Sequence, residues 1–293
     1  MAIIDNVLLP ASLWLIMFSM GLSLTLADFQ RIARNRRALF VGVGSMLIVP
    51  PVIGVLLATF FAPTPALAVG FVLLATCPGG MLSNLMTDMA KGDLALSLSL
   101  SILVSMIYIL VIPFYAHFAL LYFMGVEEQV SVPLIEFIWK IFSITLIPAS
   151  LGLLVRTLRP ALAIGIKSYI KIGGTAVLLV AFGFILYDQI PTLVEHFNSL
   201  FGITLGMNLL NLAVALGLSA GFALVAPERV AIGIEHMIRQ EGTAIYIAVT
   251  IVGSREMSLP MIMNTPVALF LCIAFVILSR RSLSRHRAAA VTG

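Results

Sequence analysis

Charge is scarce in this 293-residue sequence: Asp, Glu, Lys and Arg together make up 10%, against 61% hydrophobic residues and a mean hydropathy of +1.12. Soluble domains carry roughly 25% charged residues because a water-facing surface must be covered, so a soluble globular protein is excluded. Cysteine is nearly absent, and Cys77 and Cys272 both lie in apolar stretches, which rules out a disulfide framework or a zinc pattern. No HExxH or paired-aspartate arrangement is present, which argues against an intramembrane enzyme. A repeated filter or charged pore ring is also missing, which argues against a channel. The opening MAIIDNVLLP has no basic n-region, so no cleavable signal peptide is expected. The net charge of +4 points to basic cytoplasmic loops rather than to nucleic acid.

What the sequence does have is long uncharged runs, several exceeding the roughly 20 residues needed to cross about 30 Å of hydrocarbon. The polar punctuation between them predicts an all-α polytopic membrane protein with nine spans. They fall near 7–27, 38–61, 66–90, 94–123, 133–155, 173–191, 197–225, 228–253 and 258–279. The longest connection, about 156–172, is basic and is expected to lie along the membrane surface as an amphipathic segment. With the N-terminus outside, the inner loops and C-terminal tail hold Arg31, Arg34, Arg36, Arg37, Lys91, Arg156, Arg159, Lys167, Lys171, Arg229, Arg280, Arg281, Arg285 and Arg287, leaving only Arg255 in an outer loop. The positive-inside rule therefore predicts N-terminus out and C-terminus in. Outer loops carry Glu127, Glu128, Asp188, Glu195 and Glu256, and Lys140 is expected to pair with Glu136 one turn away.

Two spans break the rules of a lipid-facing helix. Span 66–90 contains Cys77-Pro78-Gly79-Gly80 at its middle, then Ser83, Asn84, Thr87 and Asp88. Proline removes a backbone donor and the glycines remove helix preference, and freed backbone groups cannot be left in hydrocarbon. The helix is therefore predicted to break at Pro78, Gly79 and Gly80, beside protein or a water-filled cavity. Span 228–253 holds Glu235, His236, Arg239, Gln240, Glu241, Gly242 and Thr243. Buried ionisable groups each cost about 2.5–3.5 kcal/mol on insertion scales and face a cavity or one another. Glu235 and Arg239, at i and i+4, are expected to share a face and pair. The third and eighth spans are five apart and so run in opposite directions. This is the pattern of inverted repeats with an unpartnered fifth span, and paired interrupted helices point to a transporter's central site.

The strings MFSMGLSLTLADFQRI, CPGGMLSNLMTDMAKGDLALSLSLS and IEHMIRQEGTA resemble the bile acid:sodium symporter family, in its nine-helix version that lacks the first helix. That resemblance implies one transporter unit over 1–293, with a core near 38–123 and 197–279 and a panel near 7–27 and 133–191. Two discontinuous helices would cross in the core, which would move against the panel. It implies a first Na+ site at Ser83, Asn84, Ser97, Ser101 and Glu235, a set of hard oxygen donors suited to such a cation. It implies a substrate site at Met81, Leu82, Gln240, Glu241 and Gly242. At the second ion site, formed by Ser45, His236, Ile238 and Arg239, the family's two glutamines are replaced by Ser45 and Arg239. Arginine has no acceptor oxygen, so its guanidinium is expected to stand in as a tethered cation. The function implied is alternating-access symport of small organic anions, bile-acid-like or smaller carboxylates such as pantoate or keto acids. It would be driven by Na+ in a bacterial inner membrane, with no cofactor beyond the coupling ion and no nucleic acid partner. The alternative is a proton-coupled or Na+-independent carrier, with Asp88, His236 or Glu241 carrying the proton.

Overall fold

A computed structural model describes residues 3–25, 36–125 and 134–292, and every regular element among them is helical. A π turn over Ile4–Leu8 leads into α1 (Leu9–Ser23), followed by α2 (Arg36–Phe61). Next come α3 (Pro65–Ala75), capped by Thr64, α4 (Met81–Met89) and α5 (Leu94–Met124). Then follow α6 (Leu134–Leu158), α7 (Pro160–Asp188), the short α8 (Ile190–Glu195) and α9 (Phe197–Gly221). The chain continues as α10 (Ala226–Met237), α11 (Gly242–Tyr246) extended by a π turn Ile247–Ile251, a 3-10 turn Glu256–Ser258 and α12 (Leu259–Thr292).

Six of these helices are long and apolar enough to cross a membrane. A seventh, α5, bends by 57° between Tyr108 and Leu110. Pro113 accounts for the bend, because it lacks the N–H that would otherwise bond to the Ile109 carbonyl. The two remaining expected spans are the interrupted pairs α3/α4 and α10/α11. The chain is thus an all-α, multi-pass membrane protein.

One expectation is overturned. The basic stretch 156–172 is not a separate surface segment: α6 runs to Leu158, Arg159 alone makes the connection, and Pro160 opens a continuous α7. Twenty-nine residues span about 43 Å, more than the hydrocarbon needs, so the first turns can carry Lys167 and Lys171 beyond the apolar layer. Lys140 does pair with Glu136, at 2.9 Å. Arg31, Arg34, Glu127 and Glu128 lie outside the described residues, as do the side chains of Arg285, Arg287 and Met81.

Helix α1 packs chiefly against α6 and α7, while α9 packs against α10, α2 and α12. The α1–α6 contact is backbone to backbone: a Cβ on Gly21 would strike the Ala149 carbonyl, and one on Gly152 the Phe18 carbonyl. Small residues permit this approach where lipid supplies no hydrophobic drive between helices.

Candidate functional site

α3 stops at Ala75, where Thr76 folds its hydroxyl back onto Leu73 O at 2.9 Å. Pro78-Gly79-Gly80 then runs non-helically to α4, whose first turn Ser83 closes by accepting from the Gly80 N–H at 3.2 Å. The next turn sets up the partners. Lys91 takes a left-handed conformation (φ 62°), and Asp93 caps α5 by accepting from Leu96 N–H at 3.0 Å. That start aims Ser97 and Ser101, one turn apart, at the break.

Glu235, fully buried on α10, meets all of them. Its Oε1 accepts from Ser83 Oγ at 2.7 Å, Ser97 Oγ at 2.6 Å and Ser101 Oγ at 3.0 Å. Ser97 Oγ also lies 2.8 Å from Asn84 Oδ1. One hydroxyl proton cannot serve both acceptors, so the cluster holds more lone pairs than protons, the composition that suits a cation. Glu235 Oε2 is buried with no hydrogen-bond partner. It approaches the backbone so closely that a Cβ on Gly79 would collide with it. Ser83, Asn84, Ser97, Ser101 and Glu235 thus surround one point, and they fit a hard monovalent ion.

The second break follows Met237. Gln240 N–H donates to Pro78 O at 2.8 Å, so the two interruptions are joined backbone to backbone. Arg239 does not pair with Glu235 as its i,i+4 spacing suggests, because the helix has already ended. Its guanidinium instead donates to Cys77 O and His236 O, each at 2.9 Å. It therefore sits at the carbonyl ends of two half-helices, where partial negative charge gathers. His236 uses Nδ1 against Ile232 O at 2.8 Å, leaves Nε2 without a partner, and lies beside the Ser45 backbone. The Ser45 hydroxyl turns to Gly42 O at 3.0 Å, and Ile238 is extended.

Beside the crossing lies a cavity of about 120 Å³ between α1, α5, α6 and the breaks, its wall mostly apolar. Pro78, Gln240 and Thr243 reach it from the breaks, and Ser105, Tyr108, Thr145 and Ser150 add hydroxyls. Of the expected substrate residues whose side chains are described, Gln240 lines it. Leu82 does not, and Gly242 is pressed against Leu13 and Leu178. Glu241 turns away to α12, where Asn264 Nδ2 donates to Oε1 at 2.5 Å and Thr265 Oγ1 donates to Oε2. Asn208 on α9 extends the network, donating to Asn264 Oδ1 at 2.7 Å. Sequence reasoning does not single out Asn208, Asn264 and Thr265, although amides inside apolar spans are a visible signal. Asp88 is exposed at the end of α4, away from both clusters.

At the end of α1 away from the turns that line the cavity, Arg255 donates to Asp5 at 2.6 Å and to Asp188 at 2.8 Å. Its hydrogen bonds to the Asp5 carboxylate hold the guanidinium above its usual pKa.

Comparison with known proteins fits this arrangement. The chain is 37% identical over 94 residues to "Probable sodium/metabolite cotransporter BASS2, chloroplastic" of Oryza sativa subsp. japonica, covering 32% of this chain and 22% of the relative. It is 32% identical over 144 residues to "Uncharacterized sodium-dependent transporter YocS" of Bacillus subtilis (strain 168), covering 49% and 43%. With "Ileal sodium/bile acid cotransporter" of Oryctolagus cuniculus it shares 27% identity over 194 residues, covering 64% and 54%. The chain therefore spans about half the length of these curated relatives, or less. The profile of the Sodium Bile acid symporter family matches residues 10–196, a stretch that holds the first break and the serines of α5. A match over that share of the sequence establishes that the chain belongs to the Sodium Bile acid symporter family.

Proposed function

We propose that the protein is a secondary transporter that carries small organic anions together with Na+, bound at Ser83, Asn84, Ser97, Ser101 and Glu235. One observation carries the reading: a fully buried carboxylate with an unpartnered oxygen, ringed by hydroxyl and amide oxygens, at the meeting point of two broken helices in a membrane protein. A buried charge in this setting is stabilised by an ion it can bind. The names of the relatives, two of them sodium cotransporters, support Na+ as that ion.

Arg239 takes the part of a second, permanently bound cation at the half-helix carbonyls. The panel consists of α1, α6 and α7 and the core of the remaining long helices, with the substrate held between them. The cavity's size and apolar wall favour compact carboxylates such as pantoate or keto acids over a sterol-sized anion. The protein resides in a bacterial inner membrane, N-terminus outside and C-terminus cytoplasmic. The test is uptake of a panel of such carboxylates into proteoliposomes, with and without a Na+ gradient. Glu235→Ala abolishes the Na+-driven component; undiminished uptake in that variant overturns the site.

A further inference from the structure

We propose that Glu241, held by Asn264 and Thr265, is a proton-binding site separate from the Na+ site at Glu235, so that a proton is a second coupling ion. Its part in transport rests on the reading above; the site itself does not.

The two buried carboxylates have different company. Around Glu235 the neighbours are hydroxyls and an amide oxygen, all able to present lone pairs to a metal ion. Around Glu241 they are an amide N–H and one hydroxyl, with Asn264 Oδ1 already occupied by Asn208. Too few oxygens remain free there to replace the hydration of Na+. A proton needs only one acceptor. Thr265 supplies it, because its Oγ1 also lies 3.4 Å from Met261 O. When Glu241 is charged, the hydroxyl donates to Oε2. When Glu241 is protonated, the hydroxyl accepts the acid O–H and rotates its own hydrogen to Met261 O. Both states are satisfied without moving a heavy atom, and Asn264 Nδ2 donates to Oε1 in each.

Charge points the same way. Glu241 is 9% exposed, and no basic side chain forms an ion pair with it among the described residues. The ionisable groups around the break are Arg239, Glu235, His236, Cys77 and Tyr108, while α9 and α12 contribute neutral Asn208, Asn264 and Thr265. Arg239, ionised Glu235 and one Na+ sum to a single positive charge, which a bound carboxylate neutralises. The loaded core is then electroneutral only if Glu241 carries a proton, and a net charge in the bilayer interior is costly.

The experiment uses the full chain in lipid nanodiscs without substrate. Infrared difference spectra taken across a pH titration follow the carbonyl stretch of a protonated carboxyl, and radioactive sodium binding is measured in parallel. The expected result is a titrating band that is lost in Glu241→Gln, kept in Glu235→Gln, and accompanied by sodium binding that Glu241→Gln retains. A band that survives Glu241→Gln overturns the proposal, as does the absence of any titrating band or a Glu241→Gln variant that loses sodium binding. If Glu241→Gln does not fold, the Thr265 variants decide. Thr265→Val shifts the midpoint by about tenfold in proton concentration and Thr265→Ser restores it; identical midpoints in all three proteins reject the site. Sodium binding that persists in Glu235→Gln defeats the Na+ assignment alone and leaves the proton site at Glu241 intact.

Discussion

Arg239 presents two N–H groups to the Cys77 and His236 carbonyls, groups that a broken helix in the membrane would otherwise leave bare. A mobile cation could satisfy the same oxygens, but it would have to be captured and released in each cycle. Replacing Arg239 with glutamine removes the fixed charge and adds an amide oxygen, so the Hill coefficient for Na+ should rise above one in a radioactive sodium titration. An unchanged curve would reject the tethered-cation role. Gly79 makes a different prediction, because its missing side chain is what admits Glu235 Oε2. Gly79→Ala should displace the carboxylate and weaken Na+ binding about tenfold, roughly 1.4 kcal/mol, measured in the same assay.

At the scale of elements, the chain's local chemistry reveals the first break but not the second. Pro78-Gly79-Gly80 is a local signal: a missing donor and two residues with no helix preference stop α3 whatever surrounds them. The span 228–253 has no proline or glycine between Gly233 and Gly242, so nothing local says where α10 ends. It ends at Met237 because Gln240 and Arg239 bond to the other half's backbone, a tertiary cause that i,i+4 spacing cannot reveal. Hence the sequence names Glu235 and Arg239 but mispairs them. The front of α7 misleads for a related reason. Its lysines look like a boundary, yet long lysine stems can run along a helix and reach water. Pro78→Ala tests the local stop directly. It restores an N–H and removes about 3 kcal/mol of helix penalty, so α3 can extend. The Na+-driven uptake should fall more than tenfold while the protein still purifies as a folded species by its thermal transition. Unimpaired uptake would show that the break does not depend on proline.

For the whole molecule, the Arg255 cluster lies at the end of α1 away from the turns of that helix that line the cavity. The cavity is lined by the later turns of α1, the middle turns of α5 and the middle and later turns of α6, so it runs from mid-span toward the cytoplasmic side in the proposed orientation. At the other face, Arg255 joins Asp5, ahead of α1, and Asp188, at the end of α7, while Thr250 donates to Asp5 O at 2.7 Å. These contacts tie the first and seventh helices to the chain that follows α11, and in the proposed orientation they would hold the outer side closed. The pairs are only partly buried, with Arg255 and Asp5 side chains 19% and 20% exposed, so together they are worth roughly 1 kcal/mol. Arg255→Ala should therefore shift the inward–outward balance about fivefold toward outward-open. A cysteine replacing the fully buried Leu9, in a background lacking Cys77 and Cys272, reports this shift through its labelling rate with an impermeant maleimide added from outside. Labelling should accelerate about fivefold with Arg255→Ala, and the gain should shrink in high salt, where screening already weakens the pairs. Equal rates with and without Arg255 would mean that the outer closure rests on helix packing alone.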